Sequence, residues 1–221
     1  MQIQKGNFTW NGRLTPVPKE KFDSIALHHM AHPTADEYEV EKWHKGNGWV
    51  GIGYNYWIGL DGRIIEGRGL NQGAGVENHN SHIISIGFQG NYEPFGPNVK
   101  YLTEMPQAQF EAGVWLIRHL KAILPNLKYI DGHCRWNSTS CPGRYFPLKK
   151  MIDAAEKAEP QEPYYDIKGH WAESLIRQAI AEGWVKGYPD GTFQPDKPIT
   201  RAEAVALITA ALNWKYKKAP G

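Results

Sequence analysis

"SIALHH", residues 24–29, is the stretch whose reading decides the fold. Its residues sort by the two-residue period of a β-strand: Ile25, Leu27 and His29 share one face, and Ala26 and His28 share the other. Working outward, "HPTADEYEVEKWHKGNG" at 32–48 predicts a helix that starts at Thr34, with Glu37 completing a capping box and Gly46 and Gly48 stopping it. "YNYWIGLDGRIIEGR" at 54–68 reads as two β-rich runs joined in a hairpin across Asp61-Gly62. "IISIGFQG" at 83–90 is a further strand. Phe110, Val114, Ile117, Leu120 and Leu124 then recur at three- and four-residue spacings, predicting an amphipathic helix over 106–124 closed by Pro125. A short strand, "KYIDGH", and a last helix, "PLKKMIDAAEKA", follow. Strands and helices interleave, so the expected class is α/β, a central sheet flanked by helices.

"AEKAEPQEPYYD", residues 155–166, has three Glu, two Pro and no apolar side chain between Ala158 and Tyr164, the composition of a stiff connector. The expected domains are 1–158, a linker at 159–163, and a small helical unit at 164–221. In that unit "HWAESLIRQAIAEG" aligns Trp171, Leu175, Ile176, Ala179 and Ile180 on one stripe and ends at Gly183. "GYPDGTFQPDKP" is turn chemistry, and "TRAEAVALITAALNW" opens with a second capping box, Thr200 to Glu203. The second helix is expected to bury Ala204, Leu207, Ile208 and Ala211. So small a unit has a thin core and needs copies of itself or a partner surface.

The 221 residues carry a net charge of +2 and no long run of like charge, which argues against nucleic acid as a partner. No stretch approaches the roughly 20 apolar residues of a membrane span, and the start lacks an apolar run of signal-peptide length. The expectation is a protein made in the cytosol without a leader and without membrane insertion. Two cysteines cannot build a dense disulfide framework, so apolar burial must supply most of the stability. Nine Trp and eleven Tyr fill cores and also offer flat faces to sugars.

Both cysteines fall in "DGHCRWNSTSCPG", residues 131–143. His133 and Cys141 offer an imidazole and a thiolate from the two sides of one loop, but a catalytic zinc takes three protein ligands and keeps the fourth position for water. The His28–His29 pair is the best source of the third, because strand ends in α/β sheets open onto the ligand crevice. A local Cys134–Cys141 disulfide is the competing reading, and it would consume the thiolate.

"IALHHMAHP", "GIGYNYWIGLDGRIIEGRG" and "DGHCRWNSTSCPG", in that order, resemble the zinc-dependent N-acetylmuramoyl-L-alanine amidases, the group that includes phage-type lysozymes with amidase activity and the peptidoglycan recognition proteins. The resemblance implies a central mixed β-sheet flanked by helices and a Zn2+ ion held by His28, His133 and Cys141. Alternation agrees with His28, since His29 shares its face with Leu27. Tyr54 matches the family's catalytic tyrosine, and Thr139 is a candidate hydrogen-bond donor to the transition state. The implied reaction is hydrolysis of the amide between N-acetylmuramic acid and L-alanine. Its leaving amine needs a proton, for which Glu66 and zinc-bound solvent are the candidates. Trp43 and His44 correspond to a helix end bordering the substrate groove. Gly75 stands where recognition proteins usually carry a histidine, so His79 or Asn80 is expected to replace that substrate contact. Cys134 has no assigned role.

"YYDIKGHWAESLIRQAIAEGWVKGYPDGTFQPDKPITRAEAVALIT", residues 164–209, resembles a surface-layer homology repeat. Such repeats bind secondary polymers of bacterial cell walls, which implies Arg201 of "TRAE" as the ligand for an anionic carboxylate. Trp171 is a candidate sugar-stacking ring, although its place on the apolar stripe predicts core. These repeats usually occur in threes, so a single copy implies a homotrimer or the use of the first domain as the missing surface. The reading as a whole is an endolysin acting on peptidoglycan. The alternatives are a host autolysin, a non-catalytic recognition protein, which would typically lack the cysteine ligand, and a structural wall protein, which leaves the zinc constellation unexplained.

Overall fold

Ser24–His29 is a strand along its whole length, each residue buried, and it lies inside a six-stranded sheet. The computed structural model describes residues 1–157, 164–183, 185–188 and 192–218. The chain divides into two compact units, Met1–Lys157 and Ala158–Gly221. The expected connector at 159–163 lies outside the described residues, as do Pro189, Asp190 and Gly191 of the turn-rich run.

In the first unit the strands are β1 (Ile3–Lys5), β2 (Ser24–His29), β3 (Tyr56–Ile58), β4 (Ile64–Glu66), β5 (Ile83–Phe88) and β6 (Tyr129–Gly132). Their order across the sheet is β1-β4-β3-β5-β2-β6. Only the β3–β4 hairpin is antiparallel, so the sheet is mixed, as expected. Three helices cover it: α1 (Glu37–Gly46), α2 (Gln107–Ile123) and α3 (Leu148–Glu156).

Alternation sorts the two faces. Ile25, Leu27, Ile84, Ile86 and Phe88 pack with Ala112, Leu116, Ile117 and Leu120 of α2 and Met151 of α3 in the larger core. On the other face Trp57 and Ile65 pack with Val40 of α1, while Ala26 packs with Val76 and Ile83. His28 follows the Ala26 face and His29 the Leu27 face, the separation that period-two alternation requires.

The start of α1 differs from the expectation. The capping box is closed two residues later, by Asp36, whose carboxylate accepts from the amides of Tyr38 and Glu39 while Glu39 reaches back to the Asp36 amide. The Ala35 amide instead donates to His32 Nδ1 at 2.9 Å, which holds the preceding residues outside the helix.

The second unit contains α4 (Glu173–Ala181) and α5 (Arg201–Lys218). The Asp166 carboxylate accepts the amides of Phe193 and Gln194, fixing the turn-rich segment. The Thr200–Glu203 capping box is closed in both directions. Ile167 and Ala179 are buried, but Trp171 is 84% exposed and Leu175, Leu207 and Ile208 are also exposed. The expectation that Trp171, Leu207 and Ile208 are core residues is therefore corrected. Among the described residues, α4 and α5 have no second layer over the outer parts of their apolar stripes. Among the described residues, no helix is long and apolar enough to cross a membrane.

Candidate metal centre

His28 stands near the carboxyl end of β2, where its neighbour β6 also ends and leads into a single 3-10 turn, His133–Arg135. The loop after this turn comes back on itself: the Cys134 amide donates to the Cys141 carbonyl at 2.9 Å, and the Cys141 amide donates to Thr139 Oγ1 at 3.2 Å. His28, His133 and Cys141 thereby meet, with one donor atom from each lying within 4.8 Å of the others. The His28 and His133 ring centroids are 4.5 Å apart, and His28 Nδ1 faces Cys141 Sγ at 3.8 Å. Cys134 and Cys141 form no disulfide; both thiols are free.

Tyr54 completes the constellation from the loop before β3, its ring 5.2 Å from that of His28. A glycine makes this approach possible. Gly87 is paired laterally with both His28 and Trp57, and a Cβ at Gly87 would stand 2.8 Å from the Tyr54 ring. On the far side Tyr54 is 5.4 Å from His44, which stacks on Trp49 and accepts the Gly53 amide at Nδ1. Arg68, whose charge acts on His44, is buried, donating from Nε to the Ile52 carbonyl at 2.6 Å and from Nη1 to the Gln72 carbonyl at 3.0 Å.

A cavity of about 520 Å³ opens beside the centre, with Trp49, Asn80, His133, Asn137 and Thr139 among its lining residues. Asn80 Oδ1 accepts the Val76 amide, leaving the NH2 group to donate. His79 does not line the cavity: its ring nitrogen lies 3.3 Å from His82, which in turn meets Asp23 at 2.8 Å. Trp43 is exposed beside His32. Glu66 is a correction. It shares the face of Ile64, pairs laterally with Tyr56, and its carboxylate is bound to Lys5 at 2.6 Å, so it is on the opposite side of the sheet from His28.

Burial, reinforced by the neighbouring histidines, holds His28 well below the usual imidazole range, and burial lowers His133 although Asn137 opposes it. Both are therefore neutral imidazoles, the ligating form. Burial pushes the Cys141 thiol up to about 12, despite a hydrogen bond from the His29 amide. Burial and the Cys141 charge raise Tyr54, so it remains a protonated phenol. Two neutral imidazoles and one thiol suit a borderline-soft cation such as zinc. Tetrahedral Zn–N and Zn–S bonds would put nitrogen and sulfur about 3.6 Å apart, close to the observed 3.8 Å between His28 Nδ1 and Cys141 Sγ. The residues present fit the ion.

Three polar residues at the site carried no signal in sequence. Arg68, Asn55 and Asn137 act on backbone groups or rings that only the folded chain brings near. In the second unit Arg201 is exposed at the start of α5, and the exposed Trp171 ring neighbours His170.

Residues 18–144 match the protein family described as N-acetylmuramoyl-L-alanine amidase, and residues 163–205 match the S-layer homology domain. Peptidoglycan-recognition protein SC2 of Drosophila simulans is 33% identical over 150 residues, covering 61% of this chain and 77% of that protein. The cellulosome-anchoring protein of Acetivibrio thermocellus is 43% identical over 66 residues; these cover 30% of this chain but only 15% of that much longer protein. Among solved structures, the endolysin N-acetylmuramoyl-L-alanine amidase LysCS from Clostridium intestinale superimposes with a TM-score of 0.61 at 25% identity. That match covers 69% of this chain and 93% of LysCS.

Proposed function

The chain belongs to the N-acetylmuramoyl-L-alanine amidase family, and from that premise we propose that it hydrolyses the amide joining N-acetylmuramic acid to L-alanine in peptidoglycan, with an S-layer homology unit that holds it on the wall. The observation that carries this reading is the convergence of His28, His133 and Cys141 beside Tyr54, with His133 also lining a cavity. His28, His133 and Cys141 would hold Zn2+. When bound, zinc supplies a Lewis acid that polarises an amide carbonyl and makes water a nucleophile near neutral pH.

The chain's own residues supply orientation and hydrogen bonds. Tyr54 keeps its proton across the physiological range and can donate to the oxygen of the reacting carbonyl as negative charge develops there. Thr139 Oγ1 accepts from the Cys141 amide, which leaves its hydroxyl proton to donate into the cavity. His44, lowered to about 4 by burial and then by Arg68, is neutral with Nδ1 already accepting, so its remaining N–H is a donor and not a titrating acid. Asn80 offers an amide NH2 to the substrate, and the exposed Trp43 ring, next to His44 in α1, offers a stacking face for sugar.

The second unit is read as the anchor. Arg201 would pair with an anionic group of a secondary wall polymer, with Trp171 as a stacking face. The exposed Leu175, Val205, Ile208 and Leu212 favour association of several copies, with a homotrimer as the working assembly. Likeness to an endolysin amidase of similar catalytic-unit length favours an endolysin over an autolysin.

Digestion of purified bacterial wall, with and without a chelator, tests the catalytic reading by mass spectrometry of the new termini. Chelator-sensitive release of free N-terminal L-alanine without new reducing sugar ends supports it; reducing ends, or no release, refute it.

A further inference from the structure

His133 has two ring nitrogens, and which of them is available to a cation depends on where the other is held. The amide oxygen of Asn137 lies 2.8 Å from His133 Nε2. The orientation of that amide is determined by its other end: Asn137 Nδ2 faces the backbone carbonyl of Glu77 at 3.4 Å. A carbonyl can only accept, so the atom facing it is the NH2 group and the oxygen faces the imidazole. An amide oxygen can only accept as well, so the His133 proton must be on Nε2. A neutral imidazole carries one N–H and one lone pair, so the lone pair is on Nδ1. The backbone brings the two residues together, because the amides of Trp136 and Asn137 both donate to the His133 carbonyl and tighten the turn. His28 likewise directs Nδ1, not Nε2, toward Cys141 Sγ.

We propose that Asn137 is the positioning residue of the metal centre: it fixes the Nε2–H tautomer and the ring angle of His133, so that Nδ1 is the atom offered to the metal beside Cys141. The proposal rests on the zinc reading above. Polar groups that hold the far nitrogen of a ligating histidine raise its basicity and pay its ordering entropy before the ion arrives. Asn137 is not itself a metal ligand in this role, although it also lines the cavity. It acts through the ring.

The test uses the full chain freed of metal, with zinc affinity measured against a chromophoric chelator and the His133 tautomer read from imidazole 15N shifts. Asn137→Ala should weaken zinc binding by about 10- to 100-fold and let His133 populate both tautomers. Asn137→Asp, which keeps an acceptor at the same place, should retain the Nε2–H tautomer and bind zinc within about threefold of the parent, well inside the loss typical of such partners. Unchanged zinc affinity in Asn137→Ala, or an Nδ1–H tautomer in the parent, would overturn the proposal while leaving the amidase reading intact. Failure of the parent chain to bind zinc at all would overturn both. Should Asn137→Ala not fold, the Asp variant decides alone: an Nδ1–H ring or a loss beyond tenfold counts against Asn137.

Discussion

Asn55→Ala should cost the first unit about 2–7 kcal/mol, a large effect for a residue that touches neither metal nor substrate. Asn55 is fully buried, directly after Tyr54. Its NH2 group donates to the carbonyls of Gly69 and Asn71, both at 2.8 Å, and its Oδ1 accepts the Ser85 amide at 2.9 Å. Alanine removes all three bonds and leaves their partners behind. The Ser85 amide and Gly69 carbonyl are buried, and each unmet buried group costs about 1–3 kcal/mol. Asn71 is less enclosed, so water can reach its carbonyl and its share is about 0–1 kcal/mol. In a protein of this size each kcal/mol is worth about 2–4 °C, so a loss of 3 kcal/mol lowers the melting temperature by about 6–12 °C. Calorimetry of the full chain measures it. Asn55→Asp, which keeps the acceptor but loses both donors and buries a charge, should be no milder. A fall of less than about 3 °C for the alanine variant would refute the accounting, because it would mean that these three bonds are replaced or were never worth their geometry.

Cys141→Ser should abolish zinc binding and wall hydrolysis together, while Cys134→Ser should leave both intact; metal analysis and wall digestion check the pair, and loss of zinc in Cys134→Ser would reassign the thiolate. Tyr54→Phe should retain zinc and lower kcat by about 10²- to 10³-fold, the usual consequence of removing one donor to a developing oxyanion; an unchanged kcat would remove Tyr54 from the chemistry. Acid should destabilise the first unit early. Burial lowers His29 and His44 to about 4, so the unfolded chain binds these protons first. Stability is therefore full above about pH 6.5 and falls toward pH 4, by up to ~1.4 kcal/mol per pH unit for each histidine. Denaturation at stepped pH measures the slope, and His44→Gln should reduce it; a flat profile between pH 6.5 and 4 would contradict the burial of both rings as neutral species.

Much of the fold was legible because it follows from periodicity. The two-residue alternation of 24–29 identifies β2 and assigns His28 and His29 to opposite faces, and the stripe from Phe110 to Leu124 predicts α2 within a residue at each end. The features that were not legible depend on distance in space. Two capping boxes overlap at the start of α1, and sequence spacing cannot tell which carboxylate turns back; the His32 ring decides it. Glu66 follows the motif of Tyr54 closely enough to suggest a shared site, but hairpin register turns it away from His28 and toward Lys5. Arg68 and Asn55 fall inside the stretch read as a hairpin, and nothing in that pattern marks them, because their partners are backbone groups of separate loops. Trp171 occupies a proper amphipathic stripe, yet a stripe is core only where a second layer exists to cover it.

The ligand pair His28 and Cys141 has a further meaning for the chain as a polymer. The two residues are 113 positions apart, so an ion bound by both closes a loop around most of the first unit. Ring closure of that length removes about as much freedom from the unfolded chain as a long-range disulfide, ~4–5 kcal/mol in the chain-entropy picture. The same bond would serve the chemistry and staple the first buried strand to the last loop. Metal loss would then expose the chain to unfolding and proteolysis as well as silence it, and its lifetime in a wall would depend on the free zinc around it.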